Sequence, residues 1–240
     1  MLREWKATEK PEEGELKKRL IAARDKLARQ QMLIKEKKVP VLVLMEGWGT
    51  AGKGSCIGEI IQNIDPRFFK VESMEKKTEE EERRPFLYRH FAKIPEAGKF
   101  VFLDSGWMSE LTGGYLQGEL SEKVYAQRIE SVQRFERQLT DNGYLVLKFF
   151  MQIDKEEQKF RMDKLCSSQD TRWRVSEFDK WQQEHYRKCE KVYDRYLKDT
   201  NASTSPWYII DARDKKWAEL QVMDTPVSYT HLTLPTNSRV

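Results

Sequence analysis

The sequence predicts an α/β fold, a doubly wound parallel sheet of about five strands with helices on both faces. Short, almost uninterrupted apolar segments alternate with stretches of helical periodicity, and such segments are typical of strands that are buried on both faces. They lie at residues 41–45, 69–74, 100–103, 144–151 and 207–210. The first segment also runs directly into a glycine-rich turn and a helix, at the edge of the sheet where ligands of open α/β folds bind.

The N-terminal region predicts a long amphipathic helix over residues 13–37. Its apolar residues recur at spacings of three, four and seven among many Lys, Arg and Glu: Leu16, Leu20, Ala23, Leu27 and Ile34. Pro40 follows and ends the helix. We therefore expect residues 1–40 to pack on the core as an N-terminal helix and residues 41–224 to form the main domain.

Composition excludes several classes of protein. The chain has 240 residues, 39% apolar and 34% charged, which is enough for one sizeable core. No apolar run is long enough to cross a bilayer and the first residues do not form a signal peptide, so we expect a cytoplasmic protein without membrane contacts. A net charge of +4 is too small to indicate DNA binding. The three widely spaced cysteines predict reduced thiols and no zinc site.

The glycine-rich segment after the first strand predicts a phosphate-binding loop with the pattern Gly-x-x-x-x-Gly-Lys. Glycines at 47, 49 and 52 tolerate positive φ, which lets successive N–H groups point at a phosphate, and Lys53 supplies a positive charge. The residues expected to line the phosphate site are Gly47, Gly49, Thr50, Ala51, Gly52, Gly54 and Ser55. The alternative is a structural turn without a ligand.

A magnesium ion at this loop needs a carboxylate, because Gly54 stands where a standard loop of this kind has the Ser or Thr that holds Mg²⁺. Asp104 follows the third strand and is our candidate ligand and catalytic residue, together with Lys53. Glu46, at the end of the first strand, is a second candidate for the metal. The alternative for Asp104 is a residue that only begins a turn.

Residues 154–200 are rich in charged and aromatic residues and predict two helices, joined around residues 170–174, with Ser176 capping the second. We expect this helical segment to form a lid over the loop; an ordinary surface pair of helices is the alternative. Four of its basic residues are candidates for binding polyphosphate: Arg161, Arg172, Arg174 and Lys180.

The last sixteen positions, residues 225–240, differ from the rest of the chain. They contain no Lys, Asp or Glu, many Thr and Ser, and two Pro. We expect an unstructured tail that does not belong to the natural domain.

Several segments together resemble the polyphosphate kinase 2 family, and most closely the first repeat of its tandem-domain polyphosphate:AMP phosphotransferases. They are residues 46–54, 78–81, 88–90, 95–99 with Asp104, 135–139, 156–158 with Arg161, 173–176 with Asp179, 205–207 and 214–216. The resemblance implies a P-loop kinase-like core with a helical lid. It also implies Mg²⁺-dependent transfer of phosphate between polyphosphate and a nucleotide, AMP or ADP, and a second repeat or another copy of the chain as partner.

The chain departs from the family pattern at charged positions. Trp48 and Gly49 stand where active members have Arg and Asp, and Ser105 and Glu110 stand where they have Arg. Because phosphoryl transfer depends on positioning and charge, these losses imply a catalytically weakened repeat, and we expect Gly49→Asp with Ser105→Arg and Glu110→Arg to restore activity. The alternatives are a non-catalytic module that binds nucleotide or polyphosphate beside a catalytic repeat, and a kinase that uses ATP as donor.

Overall fold

The computed structural model describes residues 1–74 and 77–225. Five parallel strands form its sheet in the order β2-β3-β1-β4-β5. They are β1 (Val41–Gly47), β2 (Phe69–Ser73), β3 (Phe100–Asp104), β4 (Leu145–Gln152) and β5 (Trp207–Asp211). The bounds of each strand agree within two residues with those of a predicted apolar segment. The predicted parallel α/β fold is confirmed.

Ten α-helices connect and cover these strands in the described ranges. They are α1 (Glu13–Glu36), α2 (Lys53–Ile61), α3 (Glu79–Glu82), α4 (Tyr88–Phe91), α5 (Trp107–Leu116), α6 (Glu122–Asp141), α7 (Lys155–Cys166), α8 (Glu177–Glu184), α9 (Tyr186–Asp199) and α10 (Lys215–Asp224). None of these helices is both long enough and apolar enough to cross a membrane.

The predicted N-terminal helix is confirmed as α1 and packs against α10. Its apolar face buries Leu16, Leu20 and Ile34 in the core. At its middle, the guanidinium of Arg24 donates two hydrogen bonds to the buried carboxylate of Glu219, at 2.8 and 3.0 Å. The N-terminal helix and the last helix therefore stabilise each other on one face of the sheet.

A buried ion pair joins α6 to β4. Lys148 donates from Nζ to Glu136 at 2.5 Å and to the carbonyl of Thr200 at 2.7 Å. Trp107 and Ser205 also donate to Glu136, each at 3.1 Å. Burial raises the pKa of Glu136 and lowers that of Lys148, while the attraction between the two charges opposes both shifts. Two of the family-like segments, 135–139 and 205–207, therefore support the fold rather than the chemistry.

The segment 154–200 has three helices and not the two that we predicted. The predicted second helix is interrupted at His185, which ends α8 and begins α9. The predicted cap is confirmed: Ser176 and Asp179 form a capping box at the start of α8. At the end of the described residues, Thr225 is the C-cap of α10 and is buried. Residues 226–240 of the expected tail lie outside the described residues.

Candidate phosphate-binding site

The turn between β1 and α2 forms a cradle of free backbone N–H groups. At the start of α2, the N–H groups of Lys53, Gly54 and Ser55 have no acceptor among the described residues, and Cys56 is the first residue of the helix to donate, to Gly52. Positive φ values at Gly47 (142°), Thr50 (62°) and Gly52 (93°) turn the chain into the helix. Free N–H groups at a helix N-terminus bind anions, because the partial positive charge of the helix lies there.

Lys53 adds a full positive charge to this cradle. Its side chain is half-buried, and Nζ donates to the carbonyl of Trp48 at 3.3 Å, across the mouth of the loop. The predicted loop residues from Gly52 to Ser55 and the predicted lysine therefore lie together at one helix terminus.

Asp104 reaches the same terminus from the neighbouring strand. It pairs with Met45 at the carboxyl end of β3, and a Cβ atom on Gly54 would lie only 2.9 Å from its Oδ2 atom. Glycine at position 54 thus leaves room for the carboxylate where a standard loop has a hydroxyl side chain. No described residue donates a hydrogen bond to the Asp104 side chain, so its oxygens are available to a cation.

Glu46 has a different environment from Asp104. It is fully buried, and its Oε1 atom accepts the N–H groups of Gly106 at 2.8 Å and Ser109 at 3.2 Å, while Ser109 Oγ donates to Oε2. Burial raises the pKa of Glu46, against the hydrogen bonds from Ser109 and the charge of Lys53. Its carboxylate therefore holds the N-terminus of α5, so the geometry favours Asp104 over Glu46 as a metal ligand.

The first half of the loop is enclosed by the segment 154–200. The N–H group of Gly49 donates to Gln182 Oε1 at 2.8 Å, and Gln158 donates from Nε2 to the Gly49 carbonyl at 3.3 Å and to Gln182 at 2.7 Å. Both glutamines are buried. Gly49 is not among the glycines with positive φ, contrary to our expectation. It instead gives space to Asp179, whose Oδ1 lies 2.1 Å from the position of a Cβ on Gly49.

Trp48 is part of the core beneath the loop. Its ring is fully buried, stacks on Tyr186 at 3.9 Å with an interplanar angle of 8°, and meets the edge of Tyr193 at 5.2 Å. Its Nε1 atom donates to Gln152 at 2.8 Å. The residue that replaces the arginine of the family pattern therefore contributes packing between the loop and α9.

The four basic candidates are placed differently. Arg161 is half-buried beside the loop, where it donates to the carbonyls of Ala51 at 3.1 Å and Ala212 at 2.8 Å and pairs with Glu157. The other three, Arg172, Arg174 and Lys180, are exposed. Arg161 therefore holds the loop against α7, while the three exposed residues remain candidates for a polyphosphate surface.

Glu110 is an ion-paired carboxylate. Lys77 lies 2.6 Å from one of its oxygens and the buried ring of His90 lies 3.2 Å from the other. Burial alone would raise the pKa of Glu110, but the interactions with His90 and Lys77 outweigh it and lower the pKa. Lys77 thus offsets the negative charge that we expected to repel phosphate.

Sequence reasoning missed Gln158 and Gln182. Gln158 lies in a family-like segment, which was a signal, whereas an isolated glutamine such as Gln182 carries none.

Among the described residues, no group of three or more His, Cys, Asp or Glu side chains is arranged to hold a metal ion. The donor set at Asp104 is compatible with Mg²⁺, which binds through one or two carboxylates together with phosphate oxygens and water.

Comparisons with known proteins agree with this architecture. A Pseudomonas aeruginosa protein assigned to polyphosphate kinase 2 superposes with a TM-score of 0.87 over 92% of this chain and 48% of that one, at 24% identity. A polyphosphate kinase 2 from Arthrobacter aurescens gives a TM-score of 0.80 over 85% of this chain and 74% of that one, at 23% identity. These likenesses show the fold, which is P-loop kinase-like.

Sequence similarity identifies the family. The polyphosphate:AMP phosphotransferase of Pseudomonas aeruginosa is 30% identical over 206 residues, 85% of this chain but 42% of that protein, so this chain spans less than half of that relative. The AMP/ADP-polyphosphate phosphotransferase of Meiothermus ruber is 27% identical over 78% of this chain and 70% of that protein. The family model for Polyphosphate kinase 2 matches residues 10–236, a range that includes most of the expected tail. The chain belongs to the polyphosphate kinase 2 family.

Proposed function

We propose that this chain is a catalytically weakened repeat of a polyphosphate-dependent nucleotide phosphotransferase that converts AMP to ADP with polyphosphate and Mg²⁺. The observation that carries the proposal is the cradle at the start of α2, where free N–H groups and Lys53 face Asp104. The family membership and the activities of the named relatives support it.

The chain's own groups have distinct roles in this proposal. The N–H groups of Lys53, Gly54 and Ser55 bind the oxygens of a phosphoryl group, and the Lys53 ammonium neutralises part of its charge. Asp104 and Glu46 are the candidate residues for the metal, and Asp104 has the available oxygens. When bound, Mg²⁺ neutralises charge on the transferring phosphoryl group. The segment 154–200 acts as a lid that excludes water from the phosphate-binding site.

Weak activity follows from the charges that this site lacks. Electrostatic stabilisation of the phosphoryl group is the main contribution of a protein to this reaction, and a single donor is worth about 10²–10³ in rate. Trp48 is packed in the core, Ser105 carries no charge, and Glu110 is paired with Lys77. The loop carboxylate cannot return by Gly49→Asp alone, because Asp179 occupies the space that the new side chain needs. The expected restoring variant therefore also requires a change at Asp179.

The alternative function is a non-catalytic module that binds nucleotide or polyphosphate and supports a catalytic repeat. The hydrogen bond from Gly49 to Gln182 favours it, since that N–H group is unavailable to a phosphate. In both cases we propose polyphosphate and AMP or ADP as ligands, a second repeat or another copy of the chain as partner, and the cytoplasm as location.

The direct test incubates the purified chain with polyphosphate, Mg²⁺ and AMP and measures ADP by chromatography. We expect slow formation of ADP that depends on polyphosphate and is lost in Lys53→Ala but not in Lys17→Ala, an exposed lysine on α1. ADP formed only with ATP as the donor would instead support adenylate-kinase-like chemistry. No ADP with either donor, together with intact polyphosphate binding, would support the non-catalytic module.

A further inference from the structure

The contact between α8 and the loop depends on the missing side chain at Gly49. A Cβ atom there would lie 2.1 Å from Oδ1, 2.7 Å from Cγ and 3.0 Å from Cβ of Asp179. Real Cβ atoms do not approach other atoms so closely, and Asp179 has little freedom to move away. Its Oδ2 atom accepts from Ser176 N at 2.8 Å and Ser176 Oγ at 2.7 Å, within the capping box.

The polar groups of Gly49 are bound by the same segment. Its N–H and its carbonyl are held by Gln182 and Gln158, which are 2% and 0% exposed. Gln182 in turn donates to the hydroxyl of Tyr193 at 2.6 Å, which extends the network into α9. Buried hydrogen bonds of this kind are costly to break, since each group would lose its partner without gaining water.

Two further contacts act in the same direction. Trp48 stacks on Tyr186 of α9, and Arg161 of α7 donates to the carbonyl of Ala51. All three helices of the segment therefore bind the first half of the loop, and they leave the N–H groups at the start of α2 free.

We propose that Gly49, Asp179 and Gln182 form a latch that holds the segment 154–200 closed on the loop in the absence of ligand. Gly49 and Gln182 are then positioning residues: they fix the loop so that a ligand is bound through the second half alone. Because the latch would regulate the proposed phosphate site, this inference rests on the proposed function. It implies that the Gly49 N–H group can bind a phosphate oxygen only after helix α8 has released it, so opening of the latch adds a donor to the site.

Hydrogen exchange in the full chain without ligand tests the latch directly. We expect the amides of α8 to exchange slowly in the unmodified protein and about 5- to 150-fold faster in Gln182→Ala, because the bound glutamine contributes about 1–3 kcal/mol to the closed state. The exposed neighbour Glu184→Ala is the matched control and should leave α8 protected. Unchanged protection of the β1 and β4 amides from exchange is the check that each variant is folded.

A double-mutant cycle tests the steric part. Gly49→Ala should speed exchange in α8 strongly in the unmodified background but only slightly beside Asp179→Ala, since that change removes two of the three close atoms. Equal effects in both backgrounds, or α8 amides that already exchange as fast as an unfolded peptide, would overturn the latch.

Binding kinetics of inorganic tripolyphosphate provide the functional measurement. Gln182→Ala should lower the dissociation rate of tripolyphosphate several-fold, because the released Gly49 N–H group becomes an additional donor, and an unchanged rate would contradict the proposed effect of the latch on the site. If tripolyphosphate does not bind to any variant, the proposed function fails, while the exchange experiment without ligand still decides whether the latch exists.

Discussion

Replacement of Trp48 by alanine should destabilise the domain strongly, although the residue lies within the phosphate-binding loop. A side chain that faces a phosphate is exposed to solvent, whereas this ring is fully buried, stacks on Tyr186 and donates to Gln152. Removal of a buried Trp side chain costs about 3–5 kcal/mol. At roughly 2–4 °C per kcal/mol for a domain of this size, the melting temperature should fall by about 6–20 °C.

Two further variants divide this loss into its parts. Trp48→Phe keeps an aromatic ring on Tyr186 but leaves the Gln152 oxygen buried without its donor, which costs about 1–3 kcal/mol. Trp173→Ala is the matched control, because that ring is 73% exposed and its loss should change stability by less than about 0.5 kcal/mol. Urea denaturation followed by circular dichroism measures all three. If Trp48→Ala unfolds with the same free energy as Trp173→Ala, Trp48 does not belong to the core.

The remaining predictions concern the buried charges. Lys148→Met should lower the free energy of unfolding in urea by about 3–5 kcal/mol, because it leaves the Glu136 carboxylate buried without its cationic partner. Arg137→Ala is the control at an exposed ion pair and should lower it by less than about 0.5 kcal/mol. Similar losses in the two variants would refute the importance of the buried pair. Burial lowers the pKa of His90 below its ordinary 6.5, so His90 takes up a proton more readily in the unfolded chain than in the folded one. With respect to His90, the folded state therefore keeps its full stability above about pH 6.5 and loses stability as the pH falls below that value. His90→Gln should therefore show a smaller loss of melting temperature on acidification from pH 7 to pH 5, and an identical pH profile would contradict this assignment.

The sheet could be predicted from the sequence because its strands are buried on both faces. Such strands read as short apolar runs, and each run coincides with an observed strand within two residues. The caps at Thr78 and Ser176 were also predictable, since a hydroxyl followed by a carboxylate three residues later satisfies the free N–H groups of a helix start.

The environment of the loop could not be predicted in the same way. The sequence predicts that Gly49 matters because glycine tolerates positive φ, but in the structure the missing Cβ instead leaves room for Asp179, a residue distant in the chain. Trp48 and Gln182 likewise have roles that depend on which helices fold over the loop. Long-range contacts of this kind leave no local pattern in a single sequence, whereas the loop itself and Asp104 follow from the local order of strand, turn and helix.

The binding of phosphate at the start of α2 is the central claim, and calorimetric titration of inorganic tripolyphosphate tests it most directly. Lys53→Ala should remain folded, because the Lys53 side chain donates to no described group other than the Trp48 carbonyl at the mouth of the loop. It should bind tripolyphosphate at least about tenfold more weakly than the unmodified chain, since a charged hydrogen bond contributes about 1.5–3 kcal/mol. Lys17→Ala should bind as the unmodified chain does. Equal affinities for Lys53→Ala and the unmodified chain, or no binding to either, would contradict the account.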